Sequence, residues 1–253
     1  MAKSFKMLER NHYLSTQVGL VREWSTQDVV SFSQLVDFTA VGSARDCCKS
    51  QGQAAPSYSA FIVDAVASAL REHPKLNRMV YRGPTGYRWV QFDSIDVAVA
   101  VEVVEGNLDI AYASIIRNAD QLGLHGIADA LLKLASAPDD DLQLKRLRRF
   151  PAPLTALLAR STRLHPKLWV RFRGGSCAVT SPGKYGVEAI SAKTSWPVTF
   201  AFGKVAERPM VVNGCCIPRL SVILSMAWHR ELTTGAVAVR FFDQIVQKLQ
   251  APW

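Results

Sequence analysis

A nine-residue apolar run that ends at a histidine is the feature of this sequence that most restricts how the chain can fold. The run, Leu220–Trp228, is far shorter than the roughly 20 residues that a membrane-spanning helix needs. Its length and apolar side chains instead favour a buried β-strand. His229 follows directly, and Thr233-Thr234-Gly235 predicts a turn that opens a helix. A histidine at the end of a rigid buried strand is well placed to act as a general base.

Hydrophobic periodicity along the rest of the chain predicts an α+β fold, and the length suits one large domain or two small ones. Apolar residues at helical spacing predict a helix over Pro56–Glu72. Further helices are expected at Ile127–Leu134 and Gly235–Leu249, and residues 150–166 read as irregular structure or short helix. A hairpin is predicted at Met79–Tyr81 and Tyr87–Phe92. The other predicted strands are Ile95–Val103, Leu168–Phe172, Ser176–Thr180, Val198–Lys204, Met210–Val212 and Ile217–Met226.

The net charge of +9, from 30 Lys and Arg against 21 Asp and Glu residues, leaves several partners open. The densest basic run is Lys145–Arg149; a second, looser group comprises Arg160, Arg163, Lys167, Arg171 and Arg173. The first interpretation is a solvated helix face with Leu142, Leu144 and Leu147 turned inward. The second is a site for a phosphorylated or anionic carrier. Nucleic acid is disfavoured because neither group has the ligand spacing of a zinc finger, and the densest run, Lys145–Arg149, contains no aromatic residue.

Cysteine usage and the N-terminus indicate a reduced, cytoplasmic protein. The five cysteines include the adjacent pairs Cys47–Cys48 and Cys215–Cys216, which rarely close a disulfide, and no C-x-x-C spacing offers a zinc or redox site. We therefore expect five reduced, mostly buried thiols and no bound metal. The basic N-terminus lacks the apolar stretch of a secretory signal, and no run is long enough to enter a membrane.

Of the five histidines, only His229 stands out as a catalytic candidate. His73 lies at a predicted helix end, where the helix dipole favours a cation, and we expect it to be structural. His12, His125 and His165 show no partner pattern. Thr180, at the end of another predicted strand, would by itself be an ordinary strand-end residue.

Five stretches of the chain share their order with the motifs of one known family. These are Phe61–Leu70 continuing through His73-Pro74-Lys75-Leu76-Asn77, Ile95–Val101, Ile115–Asp120, Val179–Val187 and Leu224–Ala236. The corresponding family motifs, in the same order, begin with a core helix followed by H-P-x-L-N. The next three are I-D-I-x-V-A-V, V-I-R-x-A-D and I-S-N-L-G-x-x-G-V. The last is a strand ending in D-H-R with H-x-x-x-D-G. The chain thus resembles the catalytic domain of the dihydrolipoamide acyltransferases of 2-oxoacid dehydrogenase complexes, which are related to chloramphenicol acetyltransferase.

The resemblance implies both an architecture and a mechanism. The expected fold is a chloramphenicol-acetyltransferase-like two-layer mixed sheet with helices, spanning residues 1–253 as one acyltransferase domain. The family implies a homotrimer with active sites between subunits, where coenzyme A and the acceptor enter a channel from opposite ends. By position, His229 would be the general base and Thr180 the hydroxyl that stabilises the oxyanion, with Ser181 as the fallback donor.

The sequence departs from the family pattern around the histidine. Trp228 stands where the family has the aspartate before the histidine, and it is a candidate to narrow the acceptor channel. Thr233 stands where the family has the aspartate four residues later, and Gly235 falls one place late. In the family that second aspartate organises the site through an arginine. Here a hydroxyl of Thr233 or Thr234 could bond locally instead.

The expected function is acetyl transfer from acetyl-CoA, as cosubstrate, to a hydroxyl of a small molecule, either free or bound to a carrier protein. We expect neither a lipoyl nor a subunit-binding domain on this chain, and therefore a free-standing enzyme. Such relatives in natural-product pathways acetylate the primary alcohol of a tetronate polyketide. Two alternatives stay open: the same fold repurposed for a cyclisation or elimination, and a non-catalytic trimeric scaffold.

Overall fold

Residues 28–83, 86–105, 108–136 and 165–253, with four positions between 154 and 162, are described by a computed structural model. The strands are β1 (Val29–Asp37), β2 (Arg78–Gly83), β3 (Gly86–Gln91), β4 (Val97–Glu105), β5 (Leu108–Ile116), β6 (Cys177–Thr180), β7 (Val198–Phe202), β8 (Ala206–Val212) and β9 (Cys215–His229). The helices are α1 (Thr39–Ser50), α2 (Tyr58–Glu72), α3 (Ala119–Ser136), α4 (Pro166–Arg173) and α5 (Gly235–Gln250). The basic run Lys145–Arg149 and His12 lie outside the described residues.

Seven strands form one mixed sheet in the order β1-β9-β7-β6-β4-β5, with β8 paired to β9 beyond the end of β7. Strand β6 runs parallel to both β4 and β7, whereas the other pairs are antiparallel. Strands β2 and β3 form a separate hairpin. This arrangement confirms the expected α+β class and mixed sheet.

Helices cover one face of the sheet, and the two layers enclose the core. Helix α2 supplies nine buried residues, and its apolar stripe packs against α3 and α5. The sheet contributes alternate residues to the same core, including Val222, Leu224, Met226 and Trp228 from β9 and Val198, Phe200 and Phe202 from β7. Because strand side chains alternate between faces, the residues between these point to the opposite side of the sheet. We call that side the far face; it includes Thr180, Ala201, Ser225, Ala227 and His229.

The predicted elements are confirmed where the hydrophobic period is strong. The helix expected over Pro56–Glu72 begins at Tyr58, because Ser57 caps it by accepting a hydrogen bond from the Ala60 N–H. The final helix and the hairpin are also confirmed. Helix α3 extends well beyond Ile127–Leu134, with a break at Gly123, whose φ is 63°.

The strand expected at Leu168–Phe172 is wrong, because this segment is helix α4. His165 caps the helix by accepting from the Lys167 N–H, and Pro166 occupies its first turn. The residues that it buries, Trp169 and Arg173, lie four apart, which is helical spacing. Arg173 is only 6% exposed, so this member of the second basic group is not on a solvated surface.

The expectation that most thiols are buried is also wrong, although all five cysteines are free as predicted. Burial is confined to Cys177, in the middle of the sheet, and it raises the pKa of that thiol. Cys47 and Cys48 lie near the exposed end of α1. Cys215 and Cys216 follow the tight turn at Asn213 and Gly214, where both residues have positive φ. Both adjacent pairs therefore sit at element ends rather than in the core.

Two of the family-like motifs meet in one ion pair, in which the carboxylate is buried and the guanidinium is partly exposed. Asp96 is 3% exposed, and its carboxylate accepts a 2.6 Å hydrogen bond from Arg117 Nη1 and a 3.0 Å bond from the Asn118 N–H. Arg117 also donates to the carbonyls of Val170 and Arg171, which ties β5 to α4. These charges therefore hold the fold together at the edge of the sheet.

We expect Arg117→Ala to lower the free energy of unfolding by about 2 kcal/mol, because it leaves the buried Asp96 carboxylate without its cation. Urea denaturation followed by circular dichroism measures this change. Lys49→Ala is the matched control, since it breaks an exposed pair with Asp46 on α1 and should leave the midpoint unchanged. Equal effects of the two substitutions would contradict the structural role of the buried pair.

Candidate active site

His229 is the last residue of β9, and hydrogen bonds and strand pairing hold its backbone in place. Its N–H donates to the Pro197 carbonyl at 2.9 Å, and its carbonyl accepts from the Leu232 N–H at 3.0 Å. Val29 of β1 lies directly opposite. The residue is 5% exposed. The backbone thus holds the imidazole in a fixed place at one end of the far face.

Thr180 lies on the same far face, at the C-terminal end of β6 and two strands away from β9. It pairs with Ala201 of β7, which in turn pairs with Ser225 of β9, four residues before His229. At about 3.4 Å per residue and about 4.8 Å between strands, Thr180 and His229 are separated by about 16 Å within one chain. A base and an oxyanion donor must both lie within about 3 Å of the reacting group. One chain alone therefore does not bring the two candidates together.

Ser181 is engaged in the turn that follows β6. Its hydroxyl donates to the Phe202 carbonyl at 2.9 Å and accepts from the Gly183 N–H at 3.1 Å. A serine hydroxyl has a single proton, and here that proton is used. The fallback donor is therefore already occupied, which leaves Thr180 as the better candidate for an oxyanion.

The loop after Thr180 is packed tightly onto its neighbours. A Cβ at Gly183 would lie 2.6 Å from the Gly203 carbonyl oxygen, and Gly186 adopts a positive φ of 81°. Tyr185 donates to the Glu102 carboxylate at 2.7 Å, and Lys184 forms an ion pair with the same group. The Lys184 ammonium and the Tyr185 hydroxyl together hold the pKa of the Glu102 carboxyl below its ordinary value. The loop that carries Thr180 is thus anchored to β4.

Thr233 lies half-buried in the turn between β9 and α5, and Thr234 is the residue before that helix. Thr234 makes no side-chain capping bond to the helix, so local capping by its hydroxyl is not what the structure shows. Trp228 points into the helix-side core, where its ring lies 5.2 Å from that of Phe32. The proposal that Trp228 narrows the channel is therefore wrong for the side of the sheet that carries His229.

An arginine that sequence reasoning missed holds the turn after His229. Arg78, at the start of β2, donates through Nη2 to the Leu232 carbonyl. Trp89 of β3 donates through Nε1 to the Glu231 carbonyl at 3.2 Å, and the Arg78 guanidinium lies 5.9 Å from the Trp89 ring centre. The hairpin thus clamps the turn by its backbone carbonyls. The sequence predicted the hairpin that carries Arg78 and Trp89, but it did not show that this hairpin contacts the turn after His229.

A cleft of about 540 Å³ opens beside His229, and sequence reasoning did not anticipate it. It is lined by the first residues of β1 from Asp28 to Ser31, by Ser191–Lys193, and by Ala227 and Arg230 on either side of Trp228 and His229. Among the described residues, no cluster of three His, Cys, Asp or Glu side chains could hold a metal ion. No helix in the described part of the chain is long and apolar enough to cross a membrane.

Comparison with known proteins identifies the family of acyltransferase domains to which this fold belongs. The sequence model of the 2-oxoacid dehydrogenases acyltransferase (catalytic domain) family matches residues 16–147. This chain belongs to that family. The matched range ends before Thr180 and His229, so the assignment does not depend on the candidate catalytic residues.

Individual relatives cover more of the chain. It is 26% identical to the lipoamide acyltransferase component of the branched-chain alpha-keto acid dehydrogenase complex of Bacillus subtilis over 198 residues, 77% of this chain and 39% of that protein. The chain thus spans about two fifths of the length of this relative.

Two solved structures show the fold. The truncated catalytic core of the 2-oxoacid dehydrogenase multienzyme complex from Thermoplasma acidophilum has a TM-score of 0.73 at 18% identity, covering 98% of this chain and 99% of that one. Chloramphenicol acetyltransferase has a TM-score of 0.52 at 14% identity, covering 98% of this chain and 100% of that one. The expected chloramphenicol-acetyltransferase-like fold is confirmed.

Removing the arginine of the clamp should loosen the turn after His229. We expect Arg78→Ala to speed amide hydrogen exchange at residues 230–235 by about tenfold, because a charged hydrogen bond to a backbone carbonyl contributes about 1.5 kcal/mol or more. Hydrogen exchange with mass spectrometry measures the change. Arg71→Ala, which breaks the pair of Arg71 with Asp120 elsewhere, is the control. Unchanged exchange in Arg78→Ala would mean that the turn is held by other contacts.

Proposed function

We propose that this chain transfers an acyl group, in the first instance acetyl, from acyl-CoA to a hydroxyl of a small molecule. The observation that carries the proposal is the buried His229, fixed at the end of β9 beside a cleft and on the same sheet face as Thr180. Membership of the acyltransferase catalytic-domain family supports the reaction class. In its most specific form, the proposal takes the acceptor to be a hydroxylated natural-product intermediate such as a tetronate.

The chemical step follows from the two side chains. The His229 imidazole takes the proton of the acceptor hydroxyl, and the oxygen attacks the thioester carbonyl. The Thr180 hydroxyl donates a hydrogen bond to the oxyanion of the tetrahedral intermediate. When the intermediate collapses, the carbon–sulfur bond breaks, and the imidazolium returns the proton to the departing CoA thiolate. The products are the acyl ester and free CoA.

A homotrimer with sites between subunits supplies the geometry that one chain lacks. Thr180, at the end of β6, and His229, at the end of β9, lie on one face of the sheet but about 16 Å apart. A rotational assembly places one end of a subunit against the other end of its neighbour, as a head-to-tail ring interface does. His229 of one subunit would then meet Thr180 of the next. The large separation within a chain is the observation that favours this arrangement.

Substitutions at the two candidate residues test the mechanism. Free CoA released from acetyl-CoA, with a panel of alcohol acceptors, is measured with a thiol reagent. We expect His229→Ala to lower kcat by a factor on the order of 1,000 and Thr180→Ala by about 100. Ser181→Ala should cost far less, because its proton is donated to Phe202. Undiminished activity in His229→Ala would exclude the mechanism, and turnover of an acceptor without acyl-CoA would favour a repurposed site.

Mixing two inactive variants tests whether the site lies between subunits. In trimers reassembled from equal amounts of His229→Ala and Thr180→Ala subunits, about a quarter of the interfaces would join an intact His229 to an intact Thr180. We therefore expect about a quarter of wild-type activity to return. A site contained within one chain would give no recovery. Mass photometry of the mixture checks that trimers form.

A further inference from the structure

One wall of the cleft beside His229 is held in place by hydrogen bonds to other elements of the fold. Ser191–Lys193 form this wall, and the residues that follow are anchored in three places. The Thr194 hydroxyl bonds to that of Thr199 at 2.6 Å. The Ser195 hydroxyl, fully buried, accepts from the guanidinium of Arg173, and Trp196 Nε1 donates to the Arg173 carbonyl at 2.9 Å. The wall therefore keeps a fixed position relative to β7 and α4.

The opposite side of the cleft is equally fixed. Asp28 and Arg230 lie next to each other because the Arg230 N–H donates to the Asp28 carbonyl at 2.9 Å. Ser31 and Ala227 are cross-strand neighbours on the far face, which His229 shares. A ligand in the cleft would therefore lie over the ends of β1 and β9, against Ala227 and Arg230, which precede and follow His229 along the chain.

The charged side chains of the cleft favour an anion. Among the described lining residues, Lys193 and Arg230 are cationic and Asp28 alone is anionic. The serine hydroxyls of residues 31 and 191 add neutral hydrogen-bonding groups. A volume of about 540 Å³ suits a small molecule. Charge-assisted hydrogen bonds from a lysine and an arginine are roughly twice as strong as neutral ones.

We propose that this cleft binds the acyl acceptor through an acidic group, a carboxylate or acidic enol oxygen, which Lys193 and Arg230 contact while the acceptor hydroxyl faces His229. The proposal rests on the proposed function and names its substrate class: a small hydroxylated acid rather than a neutral alcohol. The phosphates of coenzyme A carry the same charge and are the other source of such an anion. The two sources differ in which substrate a Lys193 substitution affects.

Hydroxy acids paired with their own methyl esters test the inference. Ligand-observed NMR measures binding, and CoA release measures turnover, for wild-type protein, Lys193→Ala and Lys193→Glu. We expect wild-type protein to prefer the acids by about tenfold or more, and both variants to lose that preference. The KM for acetyl-CoA should stay unchanged. Lys75→Ala, which removes an exposed lysine after α2, is the control and should keep the preference.

Other results would overturn the inference, and they are distinct from a failure of the proposed function. Equal binding of acids and esters, or no binding of either, overturns it. A raised KM for acetyl-CoA in Lys193→Ala, with acceptor binding unchanged, overturns it by assigning the cations to the phosphates of coenzyme A. Acid-selective binding without any CoA release would support the cleft and contradict acyl transfer. CoA release without acid preference would support acyl transfer alone.

Discussion

The alternation of side chains along β9 is the constraint on which the rest of the structure depends. This 15-residue strand pairs with the edge strand β1 on one side and with β7 and β8 on the other. Leu224, Met226 and Trp228 point into the core beneath the helices, while Ser225 and Ala227 share the far face with His229. A slip of one residue in register would turn His229 into the helix-side core and move Trp228 to the far face. The packing that stabilises the fold therefore also aims the candidate base.

The same alternation determines which candidate residues share one face of the sheet within a single chain. Thr180 and His229 share a face because both are out of phase with the core residues of their strands. Their separation along the sheet then follows from the antiparallel pairing of β7 with β9, which puts the end of β6 level with Ser225. Sheet geometry thus keeps the two candidate residues about 16 Å apart within one chain.

Sequence reasoning succeeded where one physical signal dominated and failed where tertiary contacts decided. Helix α2 was predictable because its apolar stripe has a strong 3.6-residue period. Strand β1 and helix α1 were not predicted from the sequence, because β1 is an edge strand with little burial and α1 buries only Val41. Helix α4 was mistaken for a strand because its aromatic and β-branched residues outweighed the His165-Pro166 start signal. For the site, His229 was identified from its strand, whereas Thr180 required the family resemblance.

Contacts between segments that are distant in the sequence could not be predicted from the sequence alone. Nothing in a linear pattern shows that Ser181 donates its proton to Phe202, or that Lys193 and Arg230 border the same cleft. The lost aspartate is the clearest case. At Thr233 the family pattern is broken, yet the turn is still held by an arginine, since Arg78 bonds to the Leu232 carbonyl instead of a carboxylate. A backbone carbonyl accepts this hydrogen bond whatever side chain its residue carries, so the contact of Arg78 with the turn does not require an acidic side chain at residue 233.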